Sequence, residues 1–174
     1  IEVLPPDVNR SCEDFTVQEG KICFGLSAIK GCGGSAAGAI VDARTKGGPF
    51  KDLFDFCERV DPSACNRSAI ETLVKAGAFD SMGAKRSQTS AAVERALQAG
   101  AAMHADRKSG QKGLFDTVDE EEQVISAKAS MPDIPEWEEK VRLAAEKEVL
   151  GFYLSSHPLA EYEKTLATYC THTL

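Results

Sequence analysis

The stretch Ile29-Lys30-Gly31-Cys32-Gly33-Gly34-Ser35-Ala36-Ala37 has the residue types for gripping an anion without reacting with it. Gly31, Gly33 and Gly34 are closely spaced, and glycine lets the backbone approach a ligand where a Cβ would stand in the way. Ser35 is placed to cap a helix running to about Arg44, with Ala36, Ala37, Ile40, Val41 and Ala43 on its apolar face. The first turn of such a helix leaves N–H groups unpaired, and these suit phosphate oxygens. Lys30 adds a cation beside them. Contacts of this kind read a phosphate backbone and carry little base information. The plainer alternative is an αα-corner turned by glycine, and these residues alone leave both open.

A second candidate is Ala78-Phe79-Asp80-Ser81-Met82-Gly83-Ala84-Lys85-Arg86, ahead of a long helix expected to reach about Ala101. Lys85 and Arg86 fall in its first turn, where cations oppose the helix dipole. A phosphate there would remove that penalty; an exposed basic pair is the alternative. The third is Gln111-Lys112-Gly113-Leu114-Phe115, set in a polar stretch followed by acids. Leu114 and Phe115 offer two apolar anchors and Gln111 one amide, the elements of a peptide that docks into a greasy pocket. Packing on the protein's own surface is the competing reading.

Nothing in the sequence assembles a catalytic centre. Asp52 and Asp55 lie at helical spacing and read as the exposed side of an amphipathic helix, and Asp119 to Glu122 as a solvated linker. There is no Ser/His/Asp set, phosphate-binding Walker loop or zinc spacing. Cysteines stand at 12, 23, 32, 57, 65 and 170 with no C-x-x-C pair, and His104, His157 and His172 are far apart. Reduced thiols and no metal site are expected.

The 174 residues hold one ordinary domain or two small ones. Hydrophobic residues make up 43% and aromatics 7%, which favours close helix packing over a β-sandwich. The net charge of −7 is uneven. Residues 1–115 carry 15 Lys and Arg against 14 Asp and Glu, whereas 116–174 carry 5 against 13. A nucleic-acid face in the first two thirds is compatible with that split. No apolar run approaches the roughly 20 residues needed to span a bilayer, and no secretory leader precedes a cleavage site. The chain opens at Ile1 and reads as an excised piece of a soluble, cytoplasmic protein.

The elements that must position these groups are mostly helical. Residues 1–20 read as irregular, with Pro5-Pro6 extended and Asn9-Arg10-Ser11 a turn. Lys21 to Phe24 is a short strand and Leu26 to Lys30 a helical turn. Phe50, Leu53, Phe54 and Phe56 give one face of a helix to Arg59. Asn66 caps another to Ala76 with Ile70, Leu73 and Val74 inward, and Ala91, Ala92, Val93, Ala96 and Leu97 line the helix from Lys85. Residues 104–130 read as a flexible linker, and Glu136 to Leu150 as a helix facing inward through Trp137, Val141, Ala144 and Ala145. Helix, tight turn and helix thus occur twice, at 26–44 and 66–101.

The glycine turn between helices resembles the helix-hairpin-helix motif of DNA-binding proteins. In order and spacing, Val3-Leu4-Pro5-Pro6-Asp7-Val8-Asn9, Phe24-Gly25-Leu26-Ser27-Ala28-Ile29-Lys30-Gly31, Gly47-Gly48-Pro49-Phe50, Leu53-Phe54-Asp55-Phe56-Cys57, Asn66-Arg67, Lys75-Ala76-Gly77-Ala78-Phe79-Asp80 and Glu146 through Leu159 resemble the α subunits of bacterial DNA polymerase III, the replicative C-family polymerases. The resemblance covers nearly the whole chain. It implies a mainly α fold: an extended segment 1–20 following the fingers, a tandem helix-hairpin-helix domain 21–103, a flexible linker 104–130, and a helix in 131–174 leading to an absent OB domain. It implies that Lys30, Gly31, Gly33, Gly34, Ser35, Lys85 and Arg86 hold primer-template duplex without sequence preference, and that Gln111, Leu114 and Phe115 bind the sliding clamp. Other replicase subunits are implied partners. The metal-binding aspartates, which use Mg2+, belong to a palm domain outside this chain, so the fragment itself needs no cofactor. Relatives often read Gly-Val-Gly-Glu-Gly where this chain has Gly31-Cys32-Gly33-Gly34-Ser35; Cys32 can fill a Val-sized site. Two other classes compete with this reading. A helix-hairpin-helix glycosylase would place its catalytic Asp farther from the turn than Asp42 lies from Gly33. A pure interaction scaffold would bind no DNA.

Overall fold

The computed structural model describes residues 2–109, 131–156 and 158. Three short strands open the chain: β1 (Val3–Leu4), β2 (Thr16–Gln18) and β3 (Lys21–Cys23). Their order is β1-β3-β2, with β1 parallel and β2 antiparallel to β3. The irregular reading of residues 1–20 is therefore corrected. Runs of two or three residues carry no periodic signal, and only pairing with β3 defines them as strands. Val8 sits in the main core, and its N–H donates to Ala78 O at 3.0 Å. The opening segment thus packs against the same core as the helices.

Helices build the rest: a 3-10 turn at Leu26–Ala28, α1 (Gly34–Gly47), α2 (Leu53–Arg59), α3 (Arg67–Lys75), a 3-10 turn at Asp80–Met82, α4 (Arg86–Ser109) and α5 (Glu139–Leu150). The fold is mainly helical, as the sequence predicts. Local chemistry sets the boundaries. Asn66 Oδ1 accepts from Ala69 N at 3.0 Å and caps α3 as expected. Asp52 Oδ1 accepts from Asp55 N at 2.8 Å, so α2 begins at Leu53 and not at Phe50. Asp52 and Asp55 are thus structural, since Asp55 also pairs with Arg59 at 3.0 Å. The sequence reading of them as a merely exposed face gives way to capping and pairing. The α1 N-cap is Gly33, with no side-chain hydrogen bond, in place of the expected Ser35.

A single core joins these pieces. Phe56 is fully buried between Phe50 and Phe79, with both ring centroids at 5.0 Å. Each such side chain contributes about 1.5–3 kcal/mol by leaving water. Ile70, Leu73, Val74, Ala92, Val93 and Ala96 point inward as predicted, while Ala91 is exposed. Gly100 on α4 crosses directly over the Cys57 carbonyl of α2, where any side chain would collide with backbone. Helix α4 continues to Ser109, so residues 104–109 are helical and not linker. Residues 110–130, with Gln111, Leu114 and Phe115, lie outside the described residues.

The segment 131–156 contributes Val149 and Leu150 to the same core, with Met131, Trp137 and Leu154 partly buried against that core. It is not a separate unit. Helix α5 also turns a different face inward than predicted. Leu143, Ala145, Glu146, Val149 and Leu150 are buried, whereas Val141 is 51% exposed. The physical reason is Glu146: hydrophobic periodicity assigns a carboxylate outward, but this one has a buried cationic partner on α4.

Candidate nucleic-acid interface

The first glycine turn is held from behind and open in front. Lys30 N–H donates to Val149 O at the end of α5 (2.9 Å), and Cys32 N–H to Ile29 O (2.9 Å). Cys32 points into the core, filling an apolar site as predicted. Gly31 has φ +96°, and a Cβ there would lie 3.0 Å from Thr72 Oγ1. Around Gly33 and Gly34 a Cβ would meet nothing within 4 Å. The first helical hydrogen bond of α1 runs from Ala37 N–H to Gly33 O at 3.1 Å. The N–H groups of Gly34, Ser35 and Ala36 precede it and have no acceptor among the described residues. Lys30 and Ser35 are exposed beside them. The turn therefore brings together Lys30, Gly33, Gly34 and Ser35 around an uncovered set of donors, with Gly31 supplying the bend.

The far end of α1 is fixed by Arg59. Its Nη2 donates to Ala43 O (2.9 Å) and Gly48 O (2.6 Å), while its guanidinium lies 4.5 Å from the Phe50 ring centroid. Asn9, read from sequence as a turn residue, pairs with both backbone groups of Phe50 at 2.9 and 2.7 Å. These contacts fix the helix whose other end carries the donors.

The second turn is arranged differently. Lys85 N–H donates to Gln88 Oε1 (3.1 Å). The next two N–H groups of α4 are taken by one carboxylate: Arg86 N–H reaches Glu136 Oε2 at 3.0 Å and Ser87 N–H reaches Oε1 at 3.1 Å. Burial pushes the Glu136 carboxyl up, but the N–H groups of Trp137, Ser87 and Arg86 outweigh that and hold it below its ordinary value. Lys85 Nζ donates to Ile134 O (3.3 Å) and Gln88 Nε2 to Pro132 O (2.9 Å). The extended segment 131–138 thus lies as a strap across the N-terminus of α4.

Arg86 does not face outward as the sequence reading requires. Its guanidinium is buried, 2.8 Å from Asp80 Oδ2 and 2.9 Å from Glu146 Oε1, and also donates to Lys75 O at 3.3 Å. Burial lowers its pKa, but hydrogen bonds and charge from Asp80 and Glu146 overcome this and raise it above the ordinary value. Its place at the head of α4 is as predicted, but its charge is consumed internally. Sequence reasoning placed Glu136 and Glu146 in a helix from Glu136 to Leu150 but missed their roles, since their partners lie on α4, far away in sequence. Among the described residues no group of three His, Cys, Asp or Glu is placed to hold a metal. No described helix is long and apolar enough to cross a membrane.

A family model described as "Helix-hairpin-helix motif" matches residues 1–89. The chain is 43% identical over 170 residues to the DNA polymerase III subunit alpha of Vibrio cholerae, covering 97% of this chain and 14% of that protein. It is 45% identical over 166 residues to the subunit of the same name from Deinococcus radiodurans, covering 94% and 12%. Against that of Escherichia coli it is 40% identical over 172 residues, covering 97% and 14%. The chain spans about one seventh of the length of these relatives. It belongs to the helix-hairpin-helix family and is homologous, nearly end to end, to one segment of the bacterial DNA polymerase III α subunit.

Proposed function

We propose that this chain is the non-catalytic part of a bacterial replicative DNA polymerase that grips duplex DNA behind the site of synthesis and ties the enzyme to its sliding clamp. The observation that carries the DNA half is the first turn: three N–H groups at the start of α1 with no acceptor among the described residues, two glycines with open space around them, and exposed Lys30 alongside. Such donors bind phosphate oxygens of either strand and are indifferent to base sequence. The clamp half rests on Gln111, Leu114 and Phe115 in the sequence and on relatives that are replicative polymerase subunits. The longer protein is a nucleotidyltransferase with its Mg2+-binding aspartates outside this chain, working in the cytoplasm with further replicase subunits.

Fluorescence anisotropy with labelled duplexes of unrelated sequence tests the DNA half. Affinity should be equal across sequences and fall linearly on a log–log plot against salt, with a slope of about −2 to −4 for a few phosphate contacts. Gly34→Ala sets a methyl in front of the donors at a position with no steric conflict in the fold. It should weaken binding several-fold without lowering Tm. Unchanged affinity in that variant, or indifference to salt, overturns the reading.

A further inference from the structure

The free edge of the small sheet is apolar. Glu19 and Gly20 turn the β2–β3 hairpin with φ +50° and +77°, so Gln18 and Lys21 face each other across a two-residue loop. On the other side of β3, Ile22 N–H donates to Glu2 O at 3.0 Å and Phe24 N–H to Leu4 O at 3.3 Å. Ile22 thus directs its backbone toward β1. Its opposite number, Val17, sits in a non-hydrogen-bonded pair and turns its own N–H and C=O away from β3. No bond to either group is present among the described residues. Val17 is also 74% exposed, the most of any large hydrophobic described. Native sheets blunt such an edge with Lys, Pro or a bulge, and the Thr-Val-Gln of β2 has none of these. The apolar surface continues inward. Val3, Ile22 and Val17 stand abreast in register and point to one side of the sheet. Phe15, two residues before Val17, shares that side; it is 52% exposed, with its ring centroid 4.7 Å from that of Phe24. Phe152, 43% exposed, lies 6.0 Å from Phe24 as well.

We propose that the edge of β2, with Phe15, Val17 and Phe152, receives an extended apolar segment with basic flanks from elsewhere in the same, longer polypeptide, added as a fourth strand. This goes beyond DNA and clamp binding and rests only on the reading of the chain as one part of a polymerase subunit. The relatives supply the length: this chain covers 14% and 12% of two of them, so most of such a polypeptide lies outside it. Size excludes a separate partner. One three-residue edge and three side chains fall far short of the roughly 800 Å² per partner of a stable complex. A segment tethered in the same chain needs much less, because its effective concentration is high. Charge sets the flanks. Glu13 and Asp14 directly before β2 and Glu19 directly after it are exposed, and Lys21 is already paired with Glu2 at 2.9 Å. Lys or Arg at the ends of the incoming strand meets this acidic rim, whereas a second copy of β2 would set acid against acid.

The test uses the complete native polypeptide. With the photoreactive substitution Phe15→p-benzoylphenylalanine, irradiation and peptide mapping should join position 15 to a short apolar stretch beside Lys or Arg, in the same polypeptide and outside the 174 residues. No adduct, an adduct within these residues, or an adduct to a second copy or a different protein overturns the proposal. Strand addition has its own readout. Hydrogen exchange at the Val17 amide should be at least tenfold slower than in an unstructured peptide of the same sequence, and equal rates overturn it. Val17→Pro removes the outward N–H and leaves the bonds to β3 in place, so the cross-link yield should fall several-fold. Should proline disturb the hairpin, Val17→Lys keeps every bond to β3 and blocks the edge with a long charged side chain; an unchanged yield in it overturns the proposal. The mass of the native polypeptide separates the two readings. A polypeptide no longer than this chain ends the reading as part of a subunit and the docking edge with it, whereas a long polypeptide with a silent position 15 ends the docking edge alone.

Discussion

Arg86 and Glu146 form an ion pair inside the protein: Nη1 stands 2.9 Å from Oε1, with side chains 7% and 2% exposed. The pair joins the head of α4 to the middle of α5. Glu146 also accepts from Ser155 N–H at 3.1 Å and Leu154 N–H at 3.4 Å, so one carboxylate holds the chain that leaves α5. Removing one partner of a buried pair leaves the other charged and desolvated, which costs about 3–5 kcal/mol. Arg86→Met, which strands the buried Glu146, should lose that amount in urea unfolding, and Glu146→Ala less, because Arg86 keeps Asp80 at 2.8 Å. The double variant Arg86→Met with Glu146→Met should be less damaged than either single change, because no charge remains stranded in the interior. A double variant that is fully additive would show that the two residues do not act as a pair.

The same contacts set an acid limit. Burial raises the Glu146 carboxyl, but the Ser155 N–H and hydroxyl and the Arg86 charge more than compensate, so its folded value lies below the ordinary 4.5. Glu136 is depressed likewise by the N–H groups at the head of α4. A depressed carboxylate contributes stability that is complete above its unfolded value and is lost as pH falls through its folded value. Stability should thus be flat between pH 6 and 8 as far as these groups are concerned, and should begin to fall below about 4.5. Denaturant midpoints measured across that range check the sign: Glu146→Gln should flatten the acid limb.

The helices and most of their inward faces are legible in the sequence, because α3 carries its own cap in Asn66 and its apolar residues at spacings of three and four. The glycine turn at Gly31 to Ser35 ahead of α1 is legible for the same reason, since its residues are local and contiguous. What escapes is long-range. The strands β1 and β2 exist only through β3. Glu136 acts on residues 50 positions away, and Glu146 reverses the face of its helix for a partner on α4. An acid that caps a distant helix looks, in sequence, like one more solvated charge.

Gly31 and Gly34 should separate folding from binding. At Gly31, φ is +96° and a Cβ would press on Thr72 Oγ1 at 3.0 Å. Gly31→Ala should therefore cost about 1 kcal/mol or more in stability. Pairing it with Thr72→Ala removes the crowding Oγ1 but not the backbone strain, so rescue should be partial. At Gly34 neither obstacle exists, and the alanine variant should keep wild-type Tm. Equal Tm losses at the two positions would contradict the geometry.

Cysteine reactivity should follow burial. Burial pushes the thiols of Cys57 and Cys65 up to about 12 and that of Cys32 to about 11. The thiolate is the reactive form, so all three should resist alkylation at pH 8 in the native protein. Cys12 is only half-buried and should be modified first among the cysteines of the described residues. Peptide mapping after brief iodoacetamide treatment, with and without denaturant, gives the order. Early labelling of Cys32 would mean that the first turn opens readily and is not held by the core.

The clamp reading stands or falls on Leu114 and Phe115. Each can contribute about 1.5–3 kcal/mol on burial in a partner pocket, before the cost of ordering the peptide is subtracted. Micromolar binding follows for the isolated chain, and a ring with several equivalent pockets raises the effective affinity in the full replicase. Leu114→Ala with Phe115→Ala should abolish binding to purified clamp in surface plasmon resonance. Duplex affinity should stay unchanged, because the proposed donors lie at the start of α1, and helical circular dichroism should stay unchanged as well. Gln111→Ala should weaken clamp binding by about tenfold, the loss of one hydrogen bond at a desolvated rim. Normal clamp binding by the double variant removes the pentapeptide from the interface. A simultaneous loss of helicity would instead place Leu114 and Phe115 in the protein's own packing.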